Sequence, residues 1–347
     1  MKTNDLTSSE RTGQTRRTFL QKAGLLSMAG ITGLGAGQCA KGVFRPLKFG
    51  IIADIHRDLT PDADERLNIF MKRVEAEQPD FIISLGDFAH PLPGNRPFAE
   101  RFRQAPCPAW HVLGNHENDR GTKADAVTFL EMPAPYYSFD TGGYHCVVLD
   151  GNYIYDDGAF IDYEKGNYFR YDDGHVSYIS DEQCEWLAAD LKSTSLPTLI
   201  FSHQSLLHDL YGIPNRAFVQ QLLETANEQA GFNKVVACFN GHHHQDFYRC
   251  INRIHYFSIN SVSYKWHDRS IPGRYAPELE AKYGQLSHMS LYRDALFAFV
   301  SIDPHDRLSL RGVMSQWAVP PPENILSESV RFGRESSPHI LDRQCNL

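Results

Sequence analysis

The chain has 347 residues, of which 42% are hydrophobic and 22% are charged, the composition of an ordinary soluble globular protein. That length allows one large domain or two small ones, with ample material for a hydrophobic core. The formal net charge is −8, so the charge balance gives no support to general nucleic-acid binding.

The first 40 residues have the layout of an export signal rather than of a folded domain. A paired arginine, Arg16-Arg17, precedes a mildly apolar, glycine-rich run over residues 23–37. Such a layout is typical of an export signal, and the arginine pair resembles the twin-arginine type, which is a receptor-read address. Residues 1–40 are therefore predicted to be a signal and linker, read by the twin-arginine export machinery and cleaved after Gly37. The alternative, a basic arm before a short core helix, is disfavoured because so many glycines do not hold a helix in water.

Cys39, just beyond this signal, suggests a lipoprotein site, but Gln38 occupies the position where a small residue is needed. We therefore expect no lipid anchor at Cys39. No other stretch reaches the run of about 18 apolar residues that spans a membrane. We expect an exported protein, periplasmic or extracellular, with no membrane span in its mature form. The seven cysteines show no C-x-x-C spacing, which argues against a disulfide scaffold or a zinc ribbon and leaves one or two bridges open.

Apolar runs and helical patterns alternate through the first third of the chain. Residues 49–54, 81–86 and 107–114 are apolar runs of the kind that form strands buried on both faces. Residues 62–78 have helical spacing, and a shorter helix is predicted over residues 98–104. Strand, helix, strand, helix, strand is the order of an α/β layered fold. In such folds, ligands bind at the carboxyl ends of the strands.

The rest of the chain continues this pattern around one irregular stretch. A capping box at Ser180 to Gln183 opens one helix, and a second is predicted over residues 215–229. Further strands are predicted over residues 136–140, 144–149, 197–201, 234–239, 249–259, 296–302 and 307–313. The apolar residues of segment 152–178 follow neither the helical nor the strand period, and the segment is long for an internal loop. It is interpreted as a substrate-side loop insertion, with an ordinary surface insertion as the alternative. Residues 41–318 are assigned to one domain and residues 319–347 to an irregular tail.

Five predicted strands end in polar side chains that can bind metals. Asp54 and His56 leave the first strand on the same side, since alternate strand residues share a face. The other strand ends carry Asp87, Asn115 with His116, His203, and His242 with His244. One histidine after a strand is more often a hydrogen-bonded loop residue than a ligand. Five such motifs in one chain, each closing an apolar strand, are hard to attribute to chance.

In their order, these motifs resemble those of the calcineurin-like metallophosphoesterase family. The family's blocks are Asp-x-His, Gly-Asp, Gly-Asn-His-Asp/Glu, a single histidine after a strand, and Gly-His-x-His. Here they stand as Asp54-Ile55-His56, Gly86-Asp87, Gly114-Asn115-His116-Glu117, His203 and Gly241-His242-His243-His244. The resemblance implies a four-layer α-β-β-α sandwich with mixed sheets, and a dinuclear site at the carboxyl ends of the strands. Residues 41–318 would then be the catalytic domain.

The resemblance also implies a ligand set for two divalent or mixed-valence metal ions. The first ion would be held by Asp54, His56, Asp87 and His244. The second would be held by Asp87, Asn115, His203 and His242. Asp87 would bridge the two ions, and His243 would point away. Imidazole, carboxylate and amide ligands together suit Mn, Fe or Zn better than Mg or Ca.

For catalysis, the resemblance implies a metal-bridging hydroxide that attacks phosphorus, with His116 as the acid that protonates the leaving oxygen. Glu117 either supports a ligand from behind or faces solvent or caps the strand. Purple acid phosphatases, which are relatives, carry a tyrosine where this chain has His90. His90 either approaches the first metal, or hydrogen-bonds a ligand, or is a plain loop residue.

The predicted activity is metal-dependent hydrolysis of a small-molecule phosphoester. Tyrosines of the 152–178 insertion can stack on bases, which favours a phosphodiester or a nucleotide pyrophosphate as the substrate. A phosphomonoesterase is the alternative. A non-catalytic metal-binding scaffold of the same fold is a remoter one, because His116 and every implied ligand are present.

Overall fold

The computed structural model describes residues 46–267, 269–322 and 336–347, which belong to one unit that begins at Ala40. The predicted export signal, with Arg16, Arg17, Gly37 and Cys39, lies outside the described residues. Within the described ranges, no helix is long and apolar enough to cross a membrane. The six cysteines of these ranges are free thiols, so none of the bridges that the sequence left open forms among them.

The described residues form sixteen strands and six α-helices. The strands are β1 Leu47–Ile52, β2 Phe81–Ser84, β3 Ala109–His111, β4 Tyr137–Thr141, β5 Tyr144–Val148, β6 Tyr153–Asp156, β7 Ala159–Asp162, β8 Thr198–Ser202, β9 Val235–Asn240, β10 Phe247–Ile251, β11 Ile254–Ser258, β12 Tyr264–Trp266, β13 Met289–Leu291, β14 Ala298–Ile302, β15 Arg307–Arg311 and β16 Arg343–Asn346. The helices are α1 Ala63–Glu77, α2 Arg96–Arg103, α3 Lys123–Leu130, α4 Asp181–Ser193, α5 Arg216–Ala230 and α6 Pro277–Lys282.

Two six-stranded mixed sheets form the centre of the fold. The first has the order β16-β15-β14-β1-β2-β3, and the second has the order β10-β11-β9-β8-β5-β4. β1, β2 and β3 run parallel in the first sheet, as do β5, β8, β9 and β11 in the second. Antiparallel strands extend each sheet outwards. The carboxyl ends of the parallel strands are therefore grouped at one edge of each sheet.

The two sheets pack face to face through phenylalanines. The ring of Phe49 on β1 lies edge-on to Phe201 on β8 and to Phe239 on β9, with centroid distances of 5.8 and 5.5 Å. All three side chains are fully buried, and each such burial stabilises the fold by about 2–3 kcal/mol. The sheets thus share one apolar core beneath the strand ends.

Helices cover the outer faces of both sheets. Because successive strand side chains point to opposite faces, Ile200 faces away from the shared core and packs in a second cluster with Leu187 of α4 and Leu223 of α5. On the first sheet, Phe70 of α1 stacks on Phe299 of β14 at 6.0 Å. The predicted four-layer α-β-β-α sandwich with mixed sheets is confirmed.

Two predicted segments differ from expectation. The tail beyond residue 318 is not irregular throughout, because β16 pairs antiparallel with β15 and becomes the edge strand of the first sheet. Asp246 holds it there through two 2.7 Å contacts with Arg343. The capping box of α4 forms only in part. Ser180 accepts the Gln183 N–H, but the Gln183 side chain bonds the backbone of Asp150 instead.

The insertion over residues 152–178 contains more order than the sequence indicates. It holds the β6–β7 hairpin and a short 3-10 helix, Asn167–Arg170. Lys123 of α3 anchors it, since its ammonium lies 2.7 Å from both the buried Asp150 and Asp162 of β7. The insertion is therefore fixed to the core close to the strand ends.

Candidate metal centre

The strand ends of the two sheets bring the predicted metal ligands together. Three groups of side chains have donor atoms that all lie within 4.8 Å of one another: Asp54 with His56 and His244, His56 with Asp87 and His116, and Asp87 with His203 and His242. Since consecutive groups share His56 and then Asp87, the three form one continuous array. The first and third groups each contain three of the four residues of a predicted ligand set. The roles of the individual ligands stay predictions.

The shortest approaches occur within the two ligand sets. In the first set, His244 Nε2 lies 3.2 Å from His56 Nε2 and 3.3 Å from Asp54 Oδ1. In the second, His203 Nε2 lies 3.1 Å from His242 Nδ1 and 3.2 Å from Asp87 Oδ2.

Asn115 and Asp87 complete and connect these sets. Asn115 Oδ1 lies 3.2 Å from His203 Nε2, on the side of the second set. Asp87 Oδ2, which approaches His203, is also 3.5 Å from His56 Nε2 of the first set. The position of Asp87 between the two sets fits a bridging ligand.

The ring hydrogen bonds test whether these histidines fit metal ions. His203 Nδ1 donates to the Leu85 carbonyl, and His244 Nδ1 donates to the Tyr264 carbonyl, both at 2.7 Å. In the neutral form, each ring would present a bare Nε2 lone pair to the array, as a metal-ligating histidine does. Burial lowers the pKa of His203, but Asp87 outweighs burial and raises it to about 9, so this ring would release a proton when it binds a metal. Burial lowers the pKa of His56 and of His242, which keeps both rings in the neutral form that ligation requires. The donor set fits two cations of the Mn, Fe or Zn type.

The backbone is strained at the predicted ligands. Five of them have φ between 46° and 68°, in the left-handed region that non-glycine residues rarely adopt: Asp54, His56, Asp87, His242 and His244. Such conformations cost about 1–3 kcal/mol each and persist where surrounding structure enforces them. At the end of each strand, this conformation turns the predicted ligands towards the array.

Two glycines allow the motifs to approach one another. A Cβ atom on Gly114 would collide with the backbone nitrogen and the carboxylate of Asp87, and one on Gly241 would collide with the Asp54 carboxylate. The glycines of the Gly-Asn-His and Gly-His motifs are therefore needed for close packing against the neighbouring ligand.

Glu117 links the Gly86-Asp87 motif to the motif that begins at Gly114. Its carboxylate is fully buried and accepts N–H groups from Asp87 at 3.1 Å, from Gly114 at 2.8 Å, and from Phe88. Burial raises its pKa to about 7, with Asp87 adding to the effect. The sequence left a solvent-facing role open for Glu117, and that alternative is wrong.

His116 is paired with a carboxylate that the motifs do not include. Its Nδ1 lies 2.7 Å from Asp119 Oδ2. Burial lowers the pKa of His116, but Asp87 and Asp119 outweigh burial and raise it to about 9. Burial in turn raises the pKa of Asp119, yet its contacts with His116, His90 and Tyr168 hold that pKa below the usual range. The pair is therefore a cationic imidazole beside a carboxylate.

His90 lies near the site without joining a ligand group of the described residues. Its backbone N–H donates to Asp58 at 2.8 Å, and its ring nitrogens lie 3.5 Å from Asp58 and 3.8 Å from Asp119. It lines a cleft that also borders His56 and His116. His90 is thus a wall of the cleft that contacts carboxylates outside the predicted ligand sets. As expected, His243 turns away from the array, and its Nε2 donates to the Leu210 carbonyl.

Three residues near the site were missed by sequence reasoning. Asp119 sits in a polar turn, Tyr168 in the insertion and Trp266 on β12, and no motif or period marks any of them. The Trp266 ring lies 6.1 Å from the His56 ring and 6.4 Å from the His116 ring, measured between centroids. It is an aromatic wall beside the first ligand set. The only usable signal was the aromatic richness of the insertion.

A family model described as calcineurin-like phosphoesterase matches residues 47–246, more than half of the chain. The chain belongs to this family. The matched segment contains every predicted ligand and His116. The predicted enzyme class, a metallophosphoesterase, is confirmed at the level of the family.

Two known proteins show how far the likeness extends. The serine/threonine-protein phosphatase CPPED1 of Danio rerio is 25% identical over an alignment of 210 residues, which covers 54% of this chain and 62% of that protein. The chain thus matches less than two thirds of the length of this curated relative. A crystal structure of a dimetal phosphatase from Danio rerio superposes with a TM-score of 0.54 and 16% identity, covering 80% of this chain and 99% of that one. That second likeness concerns the fold.

Proposed function

We propose that this protein hydrolyses phosphoesters with the help of two metal ions. The observation that carries the proposal is the array at the strand ends. Imidazole, carboxylate and amide donors converge there from both sheets, and a carboxylate-paired histidine lies beside them.

The ligands divide between two ions that share Asp87. The first ion would be held by Asp54, His56, Asp87 and His244, and the second by Asp87, Asn115, His203 and His242. When bound, such ions neutralise phosphate charge and activate a water molecule. The two carboxylates of the ligand sets leave the loaded site net positive, which favours an anionic substrate.

His116 is proposed as the acid that protonates the leaving oxygen. Its Nδ1–H is held by Asp119, which fixes the orientation of the ring and leaves Nε2–H to be donated. Asp119 also stabilises the cationic ring before the proton leaves. Proton donation matters most for alkoxide leaving groups and least for nitrophenolate, which departs readily without a proton.

For the substrate, we propose an organic phosphodiester or a nucleotide pyrophosphate. Trp266 supports this, because its indole, with its centroid 6.1 Å from the His56 ring and 6.4 Å from the His116 ring, offers a stacking surface to a planar group. Phe169 of the insertion, 66% exposed and packed on Tyr168, offers another. Most other aromatics of the insertion, such as Tyr155 with Phe160 and Tyr178, pack on one another.

A phosphomonoesterase is the second candidate. It is favoured by CPPED1, whose name describes a serine/threonine-protein phosphatase. The rates on bis-(p-nitrophenyl) phosphate and on p-nitrophenyl phosphate separate the two candidates. We expect the larger kcat/KM on the diester, and a clear monoester preference would contradict the proposed substrate class.

The role of His116 is tested with His116→Ala. Turnover of an alkyl phosphoester should fall by about 10²–10⁴-fold, while the metal content stays at the wild-type level. The matched control is His145→Ala, a buried histidine on β5 remote from the array, which should keep both properties. Unchanged turnover in His116→Ala would exclude the acid role. A wild-type protein that binds metals but cleaves no phosphoester of a broad panel would instead support the non-catalytic scaffold.

We also propose export through the twin-arginine machinery, on the basis of Arg16-Arg17 and the glycine-rich run that follows. Replacing both arginines by lysine should retain the protein in the cytoplasm, as measured by cell fractionation. Equal export of the doubly substituted chain would contradict the proposal.

A further inference from the structure

The Tyr168 hydroxyl lies between two groups that serve the proposed reaction. Its oxygen is 3.1 Å from the Asn115 side-chain nitrogen and 2.7 Å from Asp119 Oδ1. From this geometry we infer that Tyr168 is a positioning residue, whose hydroxyl sets the orientation of the Asn115 amide and of Asp119 together. The inference rests on the proposed function for the roles of Asn115 and His116.

Counting donors and acceptors fixes the direction of each hydrogen bond. Asp119 is a carboxylate and only accepts, taking His116 Nδ1–H on one oxygen and the Tyr168 hydroxyl proton on the other. A phenol has a single proton, so Tyr168 has none left for Asn115. Asn115 must therefore donate through its NH₂ group to the Tyr168 oxygen.

This direction decides which atom Asn115 presents to the metal array. With its nitrogen held by Tyr168, the amide oxygen faces His203, whose Nε2 lies 3.2 Å away. An amide binds metals through its oxygen, and the flipped amide would present an NH₂ group that cannot bind them. Tyr168 therefore selects the ligating orientation of Asn115.

The insertion holds Tyr168 firmly enough for this task. The side chain is 9% exposed, and its ring stacks on Tyr163 with centroids 4.5 Å apart. Two backbone hydrogen bonds tie the preceding residues to the segment that carries Asp119. Lys165 N–H donates to the Gly121 carbonyl, and Gly166 N–H donates to the Asn118 carbonyl. The hydroxyl is thus placed by a fixed backbone rather than by a free loop.

The direct test is Tyr168→Phe, which removes the hydroxyl and keeps the ring. Metal affinity of the chelator-treated protein is measured by competition with a chromophoric chelator, using Zn²⁺ and then Mn²⁺. We expect the affinity for the second metal equivalent to fall about tenfold, the effect typical of removing a residue that hydrogen-bonds a metal ligand. The first equivalent should bind as in the wild type, because Asn115 belongs to one set only.

Tyr163→Phe is the matched control. It removes a buried hydroxyl of the same insertion that contacts Ser177 and not the array. Its metal affinity should equal that of the wild type. Unchanged affinity in Tyr168→Phe, or an equal loss in both variants, overturns the inference.

A second variant keeps the inference testable should Tyr168→Phe fold poorly. Asp119→Ala leaves the Tyr168 proton without its acceptor, so the hydroxyl can turn towards Asn115 and permit the flipped amide. The second equivalent should then bind about tenfold more weakly, although Asp119 belongs to neither ligand set. In Asp119→Ala/Tyr168→Phe the loss should be no greater than in Tyr168→Phe alone. An unchanged affinity in Asp119→Ala, or fully additive losses, would contradict the shared role.

Turnover provides a separate readout. In Tyr168→Phe, kcat for an alkyl phosphoester should fall more than kcat for a nitrophenyl ester, because Asp119, the partner of His116, is no longer held by the hydroxyl. If the wild-type protein cleaves no phosphoester, the proposed function fails, yet the metal measurements still decide the role of Tyr168.

Discussion

The strand ends and the insertion reach the same site by different means. The strand ends use short motifs in strained left-handed backbone, packed so closely that glycine is required beside the ligands. The insertion also has left-handed backbone, at Asp157, Lys165 and Ser177, but none of these residues is a predicted ligand. It acts on the site through the Lys123 anchor and the Tyr168 hydroxyl. The strand ends supply the donor atoms, and the insertion fixes the orientation of the Asn115 amide and of Asp119.

This difference sets how each region tolerates change. A ligand at a strand end has no substitute, because its position depends on a local backbone that few residues adopt. The insertion acts through hydrogen bonds, so its substitutions should reduce affinity and rate by factors rather than abolish them. Substitutions in the two regions therefore test this contrast.

Asp87→Asn should have the largest effect, because Asp87 lies between both ligand sets. Turnover should fall by at least about 10³-fold, with at least one metal ion lost per chain. Metal content by plasma mass spectrometry and initial rates measure the two changes. Asp140→Asn, an exposed carboxylate on β4, is the control that should lose neither.

Gly114→Ala should follow, since the added methyl group collides with Asp87. We expect a loss of about 3 kcal/mol in the free energy of unfolding, together with most of the turnover. Gly94→Ala is the matched control, because its added methyl meets no atom within 4 Å. Denaturant unfolding compares them, and equal stability of the two variants would contradict the close packing proposed for Gly114.

Lys123→Met tests the anchor of the insertion. It leaves the Asp150 carboxylate buried without its cation, while the exposed Asp162 rehydrates. The free energy of unfolding should fall by about 2 kcal/mol, less than for a fully enclosed pair. Metal affinity should fall for the second equivalent only. Loss of both metals would show that the insertion supports the strand ends as well.

His145→Gln should have the smallest effect and a defined pH dependence. Burial lowers the pKa of His145, but Asp190 and Asp140 outweigh burial and raise it above its usual value. Its stabilising effect is therefore complete below the unfolded pKa of about 6.5 and is lost as the pH rises through the folded pKa. Thermal unfolding should show a loss of about 0.5 kcal/mol under mildly acidic conditions and none in alkaline buffer. The opposite order would contradict the charged pairing.

The sequence predicts the strand-end half of the site well. Asp54, Asp87 and His203 each close an apolar run, and parallel strands place such ends at one edge of a sheet. The order of the motifs then identifies the family. These features are local in the chain, so they are visible without a structure.

What the sequence does not show is how remote side chains meet. Nothing in the turn after His116 marks Asp119 as its partner, and nothing in residues 152–178 marks Tyr168 as the residue that turns inward. β16 is missed for a similar reason, since a polar edge strand depends on a partner far away in the chain. Such contacts depend on tertiary packing, which produces no periodic pattern in the sequence.

The central claim is a site for two metal ions that share Asp87, and metal titration of the chelator-treated protein tests it most directly. Calorimetry with Mn²⁺ or Zn²⁺ should show two ions bound per chain in the wild type. His203→Ala, which removes a ligand of the second ion only, should leave one. A wild-type chain that binds one ion or none would contradict the account.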